Sequence, residues 1–466
     1  MSPYLFIIVA DVLQQLIINA CSHGDLAHPL CDDIPCPVLQ YADDTLIMIR
    51  ATPTAAANLK RILDDFAHAT GLQINFNKTT FVPISITDDE AISIANTLGT
   101  TTSAFPQTYL GLPLSDRKLP PSAFQPIIDN IDKYLSGWRA SLLSKGGRLV
   151  LLASVLDSLP THFMSSLAIP ISIIKAIDSK RRAFFWAADD TCSGAQCLVA
   201  WDKACTPKNV GGLGVKNLNA QNVCLLLKLC YKFLHATDTP WKDWLLYHSP
   251  FSNHSTKISY LGKIIAKYMP MLSMMTRCTL GSGSSIFFWH DRWLLQEPLA
   301  DAFPALYSHY VKQNNLVMDV LQNGVEMDLR NWLTNAATSQ LALLLQLLQG
   351  ITLSDEPDRR VMLDGSTFSM RGAYCSLQNA LHDTDAERVW NSKVPAKLKM
   401  FGWLLLLDRI NTRENLHHKH ILEYTNCPRC PAAIEDRRHL FFTCPRAALI
   451  WQRLGITHSA QPFECF

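Results

Sequence analysis

The stretch VLQYADDTLIMI, residues 38–49, decides how the chain begins to fold. Two short apolar runs, Val38 to Tyr41 and Leu46 to Ile49, flank adjacent aspartates, the pattern of a tight hairpin with carboxylates at its tip. Before it, residues 4–20 carry apolar side chains at helical spacing. After it, AAANLKRILDDFAHAT (residues 55–70) repeats that spacing and stops at Gly71. LQINFNKTTFVPI (72–84) then alternates as a strand does, and YLGLPL (109–114) closes the unit. From 122 to about 236 helical patterns take over, so the expected fold class is α+β.

With 466 residues the chain has room for two to four domains at roughly 100 to 200 residues each. Hydrophobic residues at 48% against 18% charged exclude a disordered chain. Lys plus Arg (42) nearly balances Asp plus Glu (40), so any grip on a polyanion must come from local patches. One such patch is the segment 388–446, with eleven Lys or Arg against five Asp or Glu. Another is 116–148, with six against three, although an ordinary solvated helix face reads the same way. The fourteen cysteines are scattered over a chain too long for a small disulfide scaffold and read as mostly reduced, buried thiols.

Two apolar stretches raise the question of a membrane. The N-terminal one lacks a basic leader and is interrupted by Asp11, Gln14 and Gln15; a buried amphipathic helix is expected. The charge-free run 339–354 is shorter than the roughly 20 apolar residues of a span and reads as a core helix. No membrane partner is expected.

Two constellations carry chemistry. Asp43 and Asp44 at the hairpin tip repel one another and are most readily held by cations; nucleotidyl transfer uses such carboxylates to hold two Mg²⁺ ions about 3.5 to 4 Å apart. The plainer reading is an acidic turn in solvent. Further on, Cys427 and Cys430 form C-x-x-C, followed by His439 and Cys444: three thiolates and an imidazole, the ligand set of a closed structural zinc site. The thiols would share one loop and His439 and Cys444 a following short helix, leaving no position for water. His417, His418 and His420 lack a partnering cysteine pair and read as surface residues, while Cys192, Cys197, Cys205, Cys224 and Cys230 read as buried free thiols.

Taken in order, these blocks resemble the reverse transcriptases of plant non-LTR (LINE-type) retrotransposons. SPYLFIIVADVL (2–13) resembles the end of the palm motif QGxPLSPxLF, YADD (41–44) the catalytic hairpin, GLQINFNKT (71–79) the segment after it, and YLGLPL (109–114) the primer-grip region. LSGWRASLLSKGGRLVLLASVL (135–156), residues 199–228 and FFWHDRWL (287–294) resemble the thumb and connection. Residues 394–416, the four zinc ligands and IWQRLGI (450–456) resemble the family's zinc-binding module.

The resemblance implies a division into a palm half (1–115), a helical thumb and connection (116–236), a helical region of unreadable role (237–365) and a zinc-binding domain (366–456). It implies RNA template and DNA as partners, Zn²⁺ as a structural ion, and Mg²⁺ at Asp43 and Asp44 as catalytic residues. Lys78, Arg139, Lys145, Arg148, Lys397, Lys399, Arg413 and Arg429 would touch nucleic acid, in the nucleus or in a cytoplasmic ribonucleoprotein. The family's third catalytic aspartate and its fingers lie N-terminal to the palm motif in which this sequence begins. The expectation is therefore a truncated polymerase with very weak Mg²⁺ binding and little autonomous activity. The alternative is a non-catalytic nucleic-acid-binding remnant.

Overall fold

A computed structural model describes residues 2–29, 36–137, 140–235, 245, 259–378 and 383–456. They fall into two compact units, Met1–Ala123 and Phe124–Phe466. The fold is α+β, mostly helical, and its five sheets among the described residues are all two-stranded.

The first unit is built on α1 (Ser2–Ser22), the hairpin β1 (Val38–Tyr41) and β2 (Asp44–Ile47), and α2 (Pro53–Thr70). Thr52 caps α2 by accepting the N–H of Ala55 at 3.2 Å, Pro53 supplies a preset first turn, and Gly71 ends the helix at φ 74°. Leu59, Ile62, Leu63 and Phe66 repeat at helical spacing and are buried against Leu13 and Ile17 of α1. Full burial of such a side chain contributes about 1.5–3 kcal/mol. A parallel pair, β3 (Thr80–Phe81) and β4 (Thr101–Thr102), brackets α3 (Asp88–Leu98). The hairpin of β5 (Gln107–Tyr109) and β6 (Leu112–Leu114) turns through Leu110 and Gly111, both at positive φ.

In two places this unit departs from the sequence reading. The strand expected over 72–84 shrinks to Thr80–Phe81, because the Asn75 side chain accepts the Lys78 N–H at 3.3 Å and folds the backbone into a turn. Helix α1 is buried only on the side of Leu13, Ile17 and Ala20, while Tyr4, Leu5, Ile7 and Ile8 are exposed. It is long and apolar enough, by length and composition alone, to cross a membrane.

The second unit opens with α4 (Gln125–Gly137), α5 (Lys145–Leu151) running into a π-turn at Leu152–Leu156, α6 (Ile171–Trp186), α7 (Leu218–His235) and α8 (Tyr260–Met275). Arg181 of α6 is fully buried and paired with both Asp157 and Asp178, while it donates to the Lys216 carbonyl at 2.9 Å. Helices α7 and α8 interlock through Leu226, Leu227, Phe233, Ile265 and Leu272.

The region whose role the sequence left unreadable is organised by β7 (Thr276–Thr279) pairing antiparallel with β8 (Arg359–Met362), across 80 residues of chain. Between them sit the aromatic core of Phe288, Trp289 and Tyr310 and the helix α9 (Asn335–Leu348). The core-helix expectation for 339–354 holds on one face, where Leu344 is buried and Leu341, Leu348 and Leu353 pack against the same core; Leu343, Leu345 and Leu347 are exposed. The last part consists of α10 (Met370–Leu377), α11 (Thr384–Asn391), α12 (Ala396–Leu406), α13 (Arg413–His418), the short pair β9 (Asn426–Cys427) and β10 (Cys430–Ile434), and α14 (Pro445–Arg453).

Candidate metal centre and nucleic-acid interface

The donor atoms of Cys427, Cys430, His439 and Cys444 lie within 4.8 Å of one another. Cys427 and Cys430 face each other across the register of β9 and β10, so the Pro428-Arg429 turn presents both sulfurs from one loop. His439 and Cys444 are five residues apart, which an α-helix would place about 140° around its axis. The chain instead forms a π-turn, His439–Thr443, with the Cys444 N–H on the His439 carbonyl at 2.9 Å, and this brings the two onto one side. Asp436 starts the turn by accepting the His439 N–H at 2.5 Å.

The electrostatics suit a cation. Cys444 caps α14, and the backbone N–H groups of Arg446 and Ala447 hold its thiol below the ordinary range. Burial, then the neighbouring sulfurs of Cys444 and Cys427, push Cys430 up to about 11, because a second thiolate beside them would be desolvated and repelled. The Cys430 and Cys444 sulfurs are 3.7 Å apart, and a tetrahedral ion with sulfurs at 2.3 Å spaces them by about 3.8 Å. His439 Nε2 is buried with no hydrogen-bond partner among the described residues, while Nδ1 lies 3.4 Å from the Thr443 hydroxyl that orients the ring. The donor set thus fits zinc.

Several supports of this cluster were not legible in the sequence. Arg437 donates to the Leu405 and Leu406 carbonyls at 3.1 and 2.7 Å, stitching the cluster's loop to the open end of α12. Trp451 Nε1 donates to the Phe441 carbonyl at 2.6 Å and ties α14 back to the π-turn. Only C-x-x-C and the spaced His and Cys announce themselves; these partners carry no motif.

Asp43 and Asp44 are exposed, Asp43 in the two-residue turn and Asp44 opposite Tyr41 at the start of β2. Ala42 takes the positive φ of 54° that the turn demands. Among the described residues no third acidic side chain joins them in a group able to hold a metal ion. Asp11 is exposed on α1. Mg²⁺ takes oxygen ligands and is held by one or two carboxylates together with waters and substrate phosphates, so these two aspartates are donors of the type it uses.

The basic residues divide. Lys78, Lys397 and Arg429 are exposed, Arg429 between the two knuckle cysteines. Lys145 is half-buried above the Trp186 ring at 5.4 Å. Desolvation, then Arg148, then Lys419 lower its pKa. Lys399 donates to the Trp390 carbonyl at 2.8 Å, and Arg413 is half-buried at the start of α13. Arg148 departs from expectation: it is 8% exposed and donates to the Phe184 carbonyl at 3.3 Å, which takes it off the surface and makes it a packing residue. Arg139 lies outside the described residues. A Cβ on Gly146 would stand 3.1 Å from Ala396 and 3.2 Å from the Lys397 nitrogen, so the thumb-like helix α5 abuts the start of α12. That contact gathers Lys145 and Lys397, with Lys419 near enough to act on Lys145, a residue that no spacing pattern had singled out.

Comparison with known proteins agrees with this geometry. Residues 1–114 match the family "Reverse transcriptase (RNA-dependent DNA polymerase)", and residues 368–451 match "zinc-binding in reverse transcriptase". A putative ribonuclease H protein of Arabidopsis thaliana is 27% identical over 378 residues, covering 76% of this chain and 59% of that protein. An uncharacterized mitochondrial protein of the same plant is 29% identical over 151 residues, 30% of this chain and 95% of the other. The chain therefore spans well under two thirds of the longer relative. Its first 114 residues are thus similar to a reverse-transcriptase segment, and residues 368–451 to the zinc-binding module that accompanies such enzymes.

Proposed function

We propose that residues 1–466 act as a nucleic-acid-gripping part of a LINE-type, non-LTR reverse transcriptase. In this reading the zinc module and the lysines beside it hold RNA template or target DNA. Lys145, Lys397 and Arg429 would meet phosphates; zinc, when bound, supplies no chemistry beyond fixing Cys427, Cys430, His439 and Cys444 so that Arg429 is presented outward. Asp43 and Asp44 would contribute two of the carboxylates that hold Mg²⁺ for nucleotidyl transfer. The nucleus, where an element copies into chromosomal DNA, would be the place of action.

The observation that carries the reading is the closed Cys3His cluster standing in the most basic part of the chain. The hairpin supports a secondary part, because its two carboxylates have no third partner among the described residues. This chain alone is therefore expected to bind nucleic acid and to incorporate little or no nucleotide.

Fluorescence anisotropy with labelled single-stranded RNA and DNA tests the grip. The zinc-loaded chain should bind, and its affinity should fall steeply with salt. Replacing Lys145, Lys397 and Arg429 together with Gln should flatten the slope of log affinity against log salt by about 2, at roughly 0.7 per single-strand phosphate contact. An unchanged slope would sink the assignment of these residues. Primer extension on an RNA template, with Asp43→Ala, Asp44→Ala as control, decides the second part. Incorporation lost in that control would mean that the metal site is complete in this chain and that polymerisation is the primary function.

A further inference from the structure

Cys192 and Cys197, expected to be separate buried thiols, are half-buried and in contact, their sulfurs 3.3 Å apart. Of the four residues between them, Gly194–Gln196 form a tight turn and Ser193 stands at its start, and the turn is held from both ends. The Gln196 side chain accepts the Ser193 N–H at 2.9 Å and lies 3.2 Å from the Ser193 hydroxyl. The Gln196 and Cys197 N–H groups donate to the Ser193 and Gly194 carbonyls at 3.1 and 3.2 Å. This capping box fixes the separation of the two thiols before any bond forms. Closing to a disulfide of about 2.05 Å needs the sulfurs to approach by roughly 1.2 Å. Neither residue belongs to the zinc cluster, and both are open enough to meet a small molecule.

We propose that Cys192 and Cys197 form a redox-modifiable dithiol, oxidised to an intrachain disulfide by low-molecular-weight disulfides of the glutathione type. The Cys197 thiolate attacks one sulfur of the small disulfide, breaking its S–S bond; a mixed disulfide forms and one thiol leaves. Cys192 then gives up its proton and attacks the Cys197 sulfur, expelling the second thiol. The protein loses two electrons and two protons, and the small disulfide gains both as two thiols. Burial and the Cys197 sulfur push Cys192 up to about 11, so it keeps its proton and serves as the resolving thiol. Arg182 favours the Cys192 thiolate as it forms. The disulfide would close a six-residue ring between α6 and the stretch that carries Trp201, whose ring lies 5.5 Å from the buried Arg181 guanidinium.

The test uses the full chain with zinc bound, equilibrated in glutathione buffers from reducing to oxidising, then alkylated and mapped by mass spectrometry. The peptides carrying 192 and 197 should pass in one step from doubly alkylated to linked and unalkylated, having lost two hydrogens. Cys192→Ser should instead accumulate a glutathione adduct on Cys197. Cys427, Cys430 and Cys444, followed in the same maps, report whether zinc was retained. Thiols that stay alkylated at every poise, a mixed disulfide that persists in the unaltered chain, or a Cys192→Ser chain that takes no adduct would each overturn the proposal. None of these outcomes depends on nucleic-acid binding.

Discussion

The zinc module and the segment between β7 and β8 solve the same problem by different means. In residues 413–456 the buried side chains are Cys427, His439 and Cys444, and neither α13 nor α14 buries a residue. Ile421, Tyr424, Ile434, Ile450 and Leu454 remain exposed. In residues 276–362, Phe288, Trp289, Leu306, Tyr310 and Leu344 are all but inaccessible, and three charged groups, Asp291, Asp358 and Arg360, are buried with them. The contrast teaches that one module is held chiefly by its ligands and the other by an apolar core pinned with polar bonds. A segment with so little apolar burial cannot offset its chain entropy without such a staple.

The largest expected effect breaks that comparison most directly. Stripping zinc with a chelator should unfold residues 413–456 and leave 276–362 intact, since a structural zinc ion contributes on the order of 10 kcal/mol to folding in small zinc domains. Hydrogen exchange read segment by segment measures it. If α14 keeps its amide protection without metal, then the module has a core that its burial pattern does not disclose.

Next in size is the buried pair. Arg360 meets Asp291 through two hydrogen bonds, at 2.5 and 2.7 Å, and both side chains are within 1% of complete burial. Asp291 also takes the Ser273 hydroxyl at 2.6 Å and the Phe287 N–H at 2.8 Å. Arg360→Met leaves a buried carboxylate without its cation and should cost about 3–5 kcal/mol, seen as a lower urea midpoint for the Trp289 signal. Adding Asp291→Leu should recover much of that loss. A double variant as unstable as the single one would show that the pair orders the loop rather than merely cancelling its own charge.

How much of this was legible in the sequence follows from where the partners sit. The hairpin at 38–47, the helix ending at Gly71 and the C-x-x-C, His and Cys ligands are local patterns whose residues act within a few positions of one another. Arg360 and Asp291 stand 69 positions apart, and Arg437 finds the end of α12 more than 30 away, so no periodicity marks either. Arg148 has the charge of a phosphate ligand, but its burial, a tertiary property that no local pattern encodes, makes it a packing residue. The strand expected at 72–84 failed for a local reason: Asn75 competes for the backbone.

The smallest expected effect sharpens the comparison from the side of acid. Asp358 is buried and accepts the N–H groups of Gly281, Gly283 and Ser285 at 2.8–2.9 Å, together with the Ser285 hydroxyl. The backbone comes this close because position 281 has no side chain: a Cβ there would lie 2.3 Å from the Glu356 carbonyl oxygen. Burial alone would raise the Asp358 pKa, but the four donors outweigh it and hold the carboxyl below its usual range. A group lowered on folding contributes stability that is present above its unfolded pKa, near 3.9, and is lost as pH falls through the folded value. Asp358→Asn should therefore cost about 2 kcal/mol at neutral pH and flatten the stability curve of 276–362 below about pH 4. Were the acid limb unchanged, the glycine loop would be held by its own turn geometry. The polar pins of this segment would then reduce to Asp291 and Arg360, leaving its apolar core to do most of what zinc does in the other module.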